Sequence, residues 1–231
     1  MEEFKDSTID KTQRAGTGPK EKISVWNKWS LRHTSELRLA KEAKLLGPEG
    51  KVSRNVVEHL LVVNALANFI AREASRAGLS INSDVVDKAS ILHDISKRLD
   101  EEKGIGYQQK SSIMAELLEK AGYNDTVIET AQYTGRVDGM FMEEPISQQE
   151  DIVKKSLEAL IVAYSDARVR NTDIVSLEQA RDLNKQKVPK DATIYDRWYA
   201  FYKQVEERIF SDLRIKPGDV TNEVVFDYIS E

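Results

Sequence analysis

Four side chains in this sequence have the chemistry to hold a divalent metal ion: His59, the adjacent His93 and Asp94, and Asp166. Imidazole nitrogen and carboxylate oxygen together suit borderline divalent ions such as manganese, iron, cobalt, nickel or zinc. A set of two imidazoles and two carboxylates also leaves coordination positions for water and a substrate oxygen. His59 falls in an apolar helical stripe, three residues after Val56 and four before Val63. His93 follows Val86 and Ala89 at spacings of three and four, and Asp166 comes just after the apolar run from Leu160 to Tyr164. A carboxylate buried in such a run needs a metal, a ligand or a cation beside it. Lys97 and Arg98 follow the His-Asp pair, and Arg136 and Arg170 lie further on. Arg170, four residues past Asp166, is read as lying on the same face of one helix. Such cations would offset negative charge on phosphate oxygens.

Each of these residues also has a plainer reading. His59 is equally at home as a hydrogen-bonded core histidine. Asp166 is equally able to cap a helix or pair with Arg168 or Arg170, and Lys97 and Arg98 can be solvated cations near a helix C-terminus. His33, on a charged helix face, reads as a solvated surface histidine. Adjacent residues on a helix do not face each other, so His93 and Asp94 share an ion only where the backbone turns both inward.

The elements that must position these groups follow from the hydrophobic pattern. With 231 residues, 40% of them hydrophobic, the chain is long enough for a full core, and no apolar run is long enough to cross a bilayer. The expectation is a soluble, cytoplasmic protein with one domain over residues 23–231, behind a flexible polar arm over residues 1–22. Its core spans about 52–170, with C-terminal helices over 192–231. A net charge of −5 and a pI near 5.5 give no basic footprint, so no nucleic-acid polymer is expected as a partner. The absence of cysteine excludes disulfides, thiolate zinc sites and cysteine nucleophiles.

Periodic apolar residues predict a helix over 30–46, a strongly apolar one over 54–76 stopped by Gly78, and a third beginning at Ser83 or Asp84. Further helices are expected over 109–121 and 124–133. Residues 135–145 read as an irregular connection. A helix from Ser147, opened by the capping-box pattern Ser147-Gln-Gln-Glu150, is expected to reach about Arg170. An aromatic-rich helix over 195–213 and a short one over 222–229 complete the chain. With no strand alternation and no hairpin dipeptide, the fold class is all-α, a helical bundle.

His59, the segment His93-Asp-Ile-Ser-Lys97, and Asp166 within Ala163-Tyr-Ser-Asp-Ala-Arg-Val169 together resemble the His…His-Asp…Asp signature of the HD-domain metal-dependent phosphohydrolase superfamily. The resemblance covers about residues 52 to 170. It implies an all-α fold in which His59, His93, Asp94 and Asp166 bind a divalent metal, and hydrolysis of phosphate mono- or diesters, often nucleotides. The segment Trp26-Asn-Lys-Trp-Ser-Leu-Arg32 is similar to the opening of the deoxynucleoside 5′-monophosphatase branch. His93-Asp-Ile-Ser-Lys97 is closer to branches that hydrolyse cyclic dinucleotides and dinucleoside polyphosphates. Binuclear members add histidines between the His-Asp pair and the final Asp, whereas Gln109, Gln132, Tyr133 and Asp138 stand in that region here. The nucleotidase branch has a Glu where this chain has Lys97. A single metal is therefore expected, with Asp94 and Lys97 as the catalytic residues and Lys97, Arg98, Arg136 and Arg170 contacting a small phosphorylated substrate. A degenerate domain that binds a nucleotide or a protein without turnover is the alternative.

Overall fold

The computed structural model describes residues 19–42, 54–95, 107–143, 155–187 and 192–231. Among them the chain is all-α apart from one two-residue hairpin. The helices are α1 (Pro19–Leu31), α2 (Thr34–Glu42), α3 (Arg54–Arg76), α4 (Ser83–Leu92), α5 (Tyr107–Lys120), α6 (Asp125–Glu143) and α7 (Leu157–Arg168). The strands β1 (Val169–Arg170) and β2 (Asp173–Ile174) follow, then α8 (Leu177–Lys187), α9 (Ala192–Phe210), a 3-10 turn (Pro217–Asp219) and α10 (Asn222–Ser230). No described helix is long and apolar enough to cross a membrane.

Helix α3 is the spine, because its sequence is apolar on nearly every side. Leu60, Val63, Leu66, Ala67 and Ile70 are fully buried, each large side chain contributing roughly 1.5–3 kcal/mol. Helices α4 and α7 pack on α3, α6 closes against both α4 and α7, and α9 covers α7 from the far side. The C-terminal α10 returns to α3 and touches α1. Gly78 ends α3 in the left-handed region at φ +89°, which lets the Leu79 amide donate back to the Ala74 carbonyl at 3.1 Å. Gly122 ends α5 the same way at φ +86°, with the Tyr123 amide on the Leu118 carbonyl at 3.0 Å.

Several boundaries differ from those expected. The arm expected over residues 1–22 falls mostly on residues 1–18, which lie outside the described residues, while Pro19, at the first helical position, begins α1. The single helix expected over 30–46 is two, because the chain turns at Arg32 and His33, where the His33 amide bonds the Ser30 carbonyl at 3.1 Å. That turn carries His33 inward to 2% exposure, against the surface position expected of it. Asn82, rather than Ser83 or Asp84, caps α4, its side chain accepting from the Val85 amide. Residues 135–143 are helical, since buried Val137 extends the apolar face of α6 past Gly135. The capping-box residues 147–150 lie outside the described residues. Helix α7 is instead capped by Ser156, whose hydroxyl accepts from the Ala159 amide at 3.2 Å. Helix α8, whose surface is mostly polar, was not anticipated.

Candidate metal centre

Three helices bring the expected ligands together. His59 sits in the second turn of α3, His93 caps the C-terminus of α4 with φ −57° and ψ −33°, and Asp166 lies near the end of α7. Asp166 Oδ1 is 3.0 Å from His59 Nε2 and 3.3 Å from His93 Nε2. Asp94 Oδ2 is 4.0 Å from His59 Nε2 and 3.8 Å from His93 Nε2. One ligand atom from each of His59, His93, Asp94 and Asp166 lies within 4.8 Å of all the others. The geometric objection to adjacent ligands is met by the helix ending: α4 stops at Leu92, and residues 93–95 form a tighter turn in which the Ile95 amide bonds the Leu92 carbonyl at 3.2 Å.

The rings are oriented from behind. His93 Nδ1 lies 2.7 Å from the Ser90 carbonyl, and His59 Nδ1 lies 3.3 Å from the Asn171 carbonyl. A carbonyl carries no hydrogen, so each Nδ1 must donate, and in the neutral ring the lone pair is left on Nε2. Both Nε2 atoms therefore converge on Asp166.

Electrostatics reinforce the arrangement. Burial disfavours a charged His93 ring, but the carboxylates of Asp94 and Asp166 outweigh it and raise its pKa to about 8. Burial would likewise push the Asp166 carboxyl up, yet His93 and His59 hold it well below the ordinary carboxylate value. His93 Nε2 is fully buried and, despite its proximity to Asp166, has no hydrogen-bond partner. An unpartnered buried nitrogen aimed at two carboxylates is what a divalent ion would satisfy, and the N,N,O,O donor set fits one of the borderline ions.

The proposed cations are less fully placed. Lys97 and Arg98 lie outside the described residues, and Arg136 is on α6 but its side chain is not described. Arg170 is not on the helix with Asp166, because α7 ends at Arg168 and Arg170 belongs to β1. It nonetheless reaches back: its Nη1 donates to the Asp166 carbonyl at 3.2 Å and to the Val169 carbonyl at 2.9 Å, and its guanidinium carbon lies 5.5 Å from the Trp198 ring centroid. Arg168, the alternative partner for Asp166, points the other way. Its guanidinium donates to the Tyr164 hydroxyl at 2.7 Å and to the carbonyls of Val175, Pro217 and Val220, while Tyr164 donates to Glu206 at 2.7 Å.

Behind α4 runs a second polar layer that the sequence reading missed. Asn64 Oδ1 accepts from Trp29 Nε1 at 2.9 Å, and its side-chain Nδ2 donates to the Asp87 main-chain carbonyl at 2.8 Å and to Ser90 Oγ at 2.9 Å. Asn68 adds a 2.7 Å bond to Asp87 Oδ1. An Asn at position 64 inside a run of fully apolar neighbours was the available signal, since an amide there must find partners.

With this geometry established, family comparison is direct: the chain belongs to the HD-domain family, whose model matches residues 56–171, just over half of its length. The family consists in general of metal-dependent hydrolases of phosphate esters. No curated protein and no solved structure matches the chain.

Proposed function

We propose that this protein is a phosphohydrolase using one divalent ion, and that its substrate is a small phosphate ester, most simply a nucleotide. The observation that carries this reading is the convergence of His59, His93, Asp94 and Asp166, each offering a ligand atom within 4.8 Å of the others. When bound, a divalent ion supplies Lewis acidity toward a phosphoryl oxygen and acidifies a water to near neutrality.

The chain's own residues do the rest. His59, His93 and Asp166 fix the position of the centre. Asp94, a carboxylate at the end of α4 and partly open to solvent, orients the attacking water and takes its proton. Lys97, with Arg98 and Arg136, is assigned to the phosphate oxygens, where cations stabilise charge that grows in the transition state. Arg170 is assigned the same role through the donors that its two carbonyl bonds leave over.

One observation favours a second reading. No histidine follows His93 in the sequence, so the further imidazoles of binuclear relatives are lacking, as in a domain that holds a nucleotide or a partner protein without turnover. Two measurements separate the readings. Metal analysis of the purified protein beside His93→Ala tests the centre, and equal metal in both would remove it. Nucleoside monophosphates, cyclic dinucleotides and dinucleoside polyphosphates, assayed with manganese, cobalt or nickel, test turnover. Phosphate or nucleotide release supports the hydrolase; none from a metal-loaded protein supports the binder.

A further inference from the structure

We propose that Asn171 is a positioning residue for the metal centre, acting through its main-chain carbonyl rather than its side chain. The inference rests on reading the His59 cluster as a metal site. It concerns how His59, 112 residues away in sequence, is held with Nε2 toward the ion.

Among the described residues, Asn171 is the only one other than glycine with positive φ, at 58°. In the left-handed region Cβ comes too close to the following carbonyl oxygen, which disfavours it for L-residues, and Asn is among the few side chains that tolerate it. Such a conformation persists only where the surroundings over-determine it. Here they do. Val169 pairs with Ile174 and Arg170 with Asp173, so Asn171 and Thr172 form the tip of a closed hairpin. The Val175 amide donates to the Arg168 carbonyl at 2.8 Å, and the Arg168 side chain donates back to the Val175 carbonyl. From the other strand, the Ile174 amide donates to Asn222 Oδ1 at 2.9 Å.

The hairpin so clamped aims the Asn171 carbonyl at His59 Nδ1, 3.3 Å away, and Nε2 of the same ring then lies 3.0 Å from Asp166 Oδ1. Asp166 lies two residues before the end of the helix that enters the hairpin, so a short stretch of chain supplies both a ligand and the group that orients another ligand. The Asn171 residue itself is exposed. Its identity therefore matters through φ alone, and the tolerated substitutions follow backbone freedom rather than side-chain chemistry.

The test is calorimetric titration of Mn²⁺ into the chelator-treated full chain, comparing wild type with Asn171→Gly, Asn171→Ala and Asn171→Val. Glycine adopts positive φ freely and is expected to match wild type. Valine, the least able to do so, is expected to weaken Mn²⁺ binding by about tenfold, the lower end of the effect of losing a partner behind a ligand, with alanine between. A second readout is the ring ¹⁵N signals of His59 in the Zn²⁺-loaded protein, which should show Nδ1–H in wild type and Asn171→Gly and a loss of that single state in Asn171→Val. If valine fails to fold, alanine carries the comparison. Unchanged affinity and ring state in the folded variants, with only a lower melting temperature, would assign the hairpin a purely structural role and overturn the proposal. Wild type failing to bind Mn²⁺ or Zn²⁺ would sink the metal-centre reading and this inference together, whereas a wild type that binds and a valine variant that matches it sinks this inference alone.

Discussion

His93 Nε2 lies 3.3 Å from Asp166 Oδ1, near enough to share charge, although no hydrogen bond joins them. In the metal-free protein this pair makes stability depend on pH in a predictable direction. The His93 pKa is raised from 6.5 to about 8, so its contribution is complete below pH 6.5 and is lost as the pH rises through about 8. Asp166 is depressed below 3.8, so its contribution is present above that value and disappears as the pH falls through its lowered pKa. Buried His33 has the opposite sense: burial lowers its pKa, only partly offset by Asp87 and Glu36, so stability falls as the pH drops below 6.5. Urea midpoints measured with chelator should therefore peak near pH 6.5 and decline toward pH 8, and His93→Gln should flatten the alkaline limb while also reducing the Asp166 contribution at acid pH, because His93 helps to hold that carboxyl low.

A divalent ion competes for the same lone pair. Apparent metal affinity should strengthen with pH until about 8 and then level off, as the His93 proton ceases to oppose binding. Calorimetric titrations at three or more pH values in that range check the slope; a flat profile would mean that His93 does not coordinate.

Asn64 gives a sharper prediction because it both accepts and donates. Asn64→Ala leaves Trp29 Nε1 and Ser90 Oγ each short of a bond, at a cost of about 2 kcal/mol. Asn64→Asp keeps the acceptor for Trp29 but cannot donate, and it sets a second carboxylate where an amide now lies 3.1 Å from Asp87 Oδ1. The aspartate variant should be the less stable of the two at neutral pH and should regain stability on acidification. Denaturant melts at pH 7 and pH 5 decide it.

Arg168 is expected to be irreplaceable by lysine. Its planar guanidinium spans Tyr164 and three carbonyls in different directions, and a single ammonium cannot reach them all. Arg168→Lys should cost about 3 kcal/mol in chemical denaturation, through buried acceptors left unpaired beside Glu206.

The four residues that cluster were visible in the sequence because each interrupts an apolar run, and an imidazole or carboxylate among Val, Leu and Ile has few uses. Periodicity likewise located α3 almost to the residue, since burial on nearly all sides leaves a pattern that no neighbour can alter. What the sequence hid was set by tertiary partners. His33 reads as exposed until the turn at residues 32 and 33 breaks the helix, and the turn carries no glycine or proline. The extension of α6 past Gly135 is decided by what Val137 packs against, while strands two residues long are too short for alternation to register. Arg170 kept its neighbourhood but lost its helix, because α7 gives way to β1 two residues sooner than the spacing suggested.

Helix α7 faces two ways: Asp166 looks toward the imidazoles, while Tyr164 and Arg168, two positions to either side, look toward α9. A helix advances about 100° per residue. Inserting or deleting one amino acid between Ser156 and Asp166 would swing the carboxylate off its histidines and carry the guanidinium away from Glu206's side of the bundle in the same stroke. Length is thus frozen in this segment far more tightly than composition, and an evolving lineage could trade its apolar letters one for another while never being free to add one.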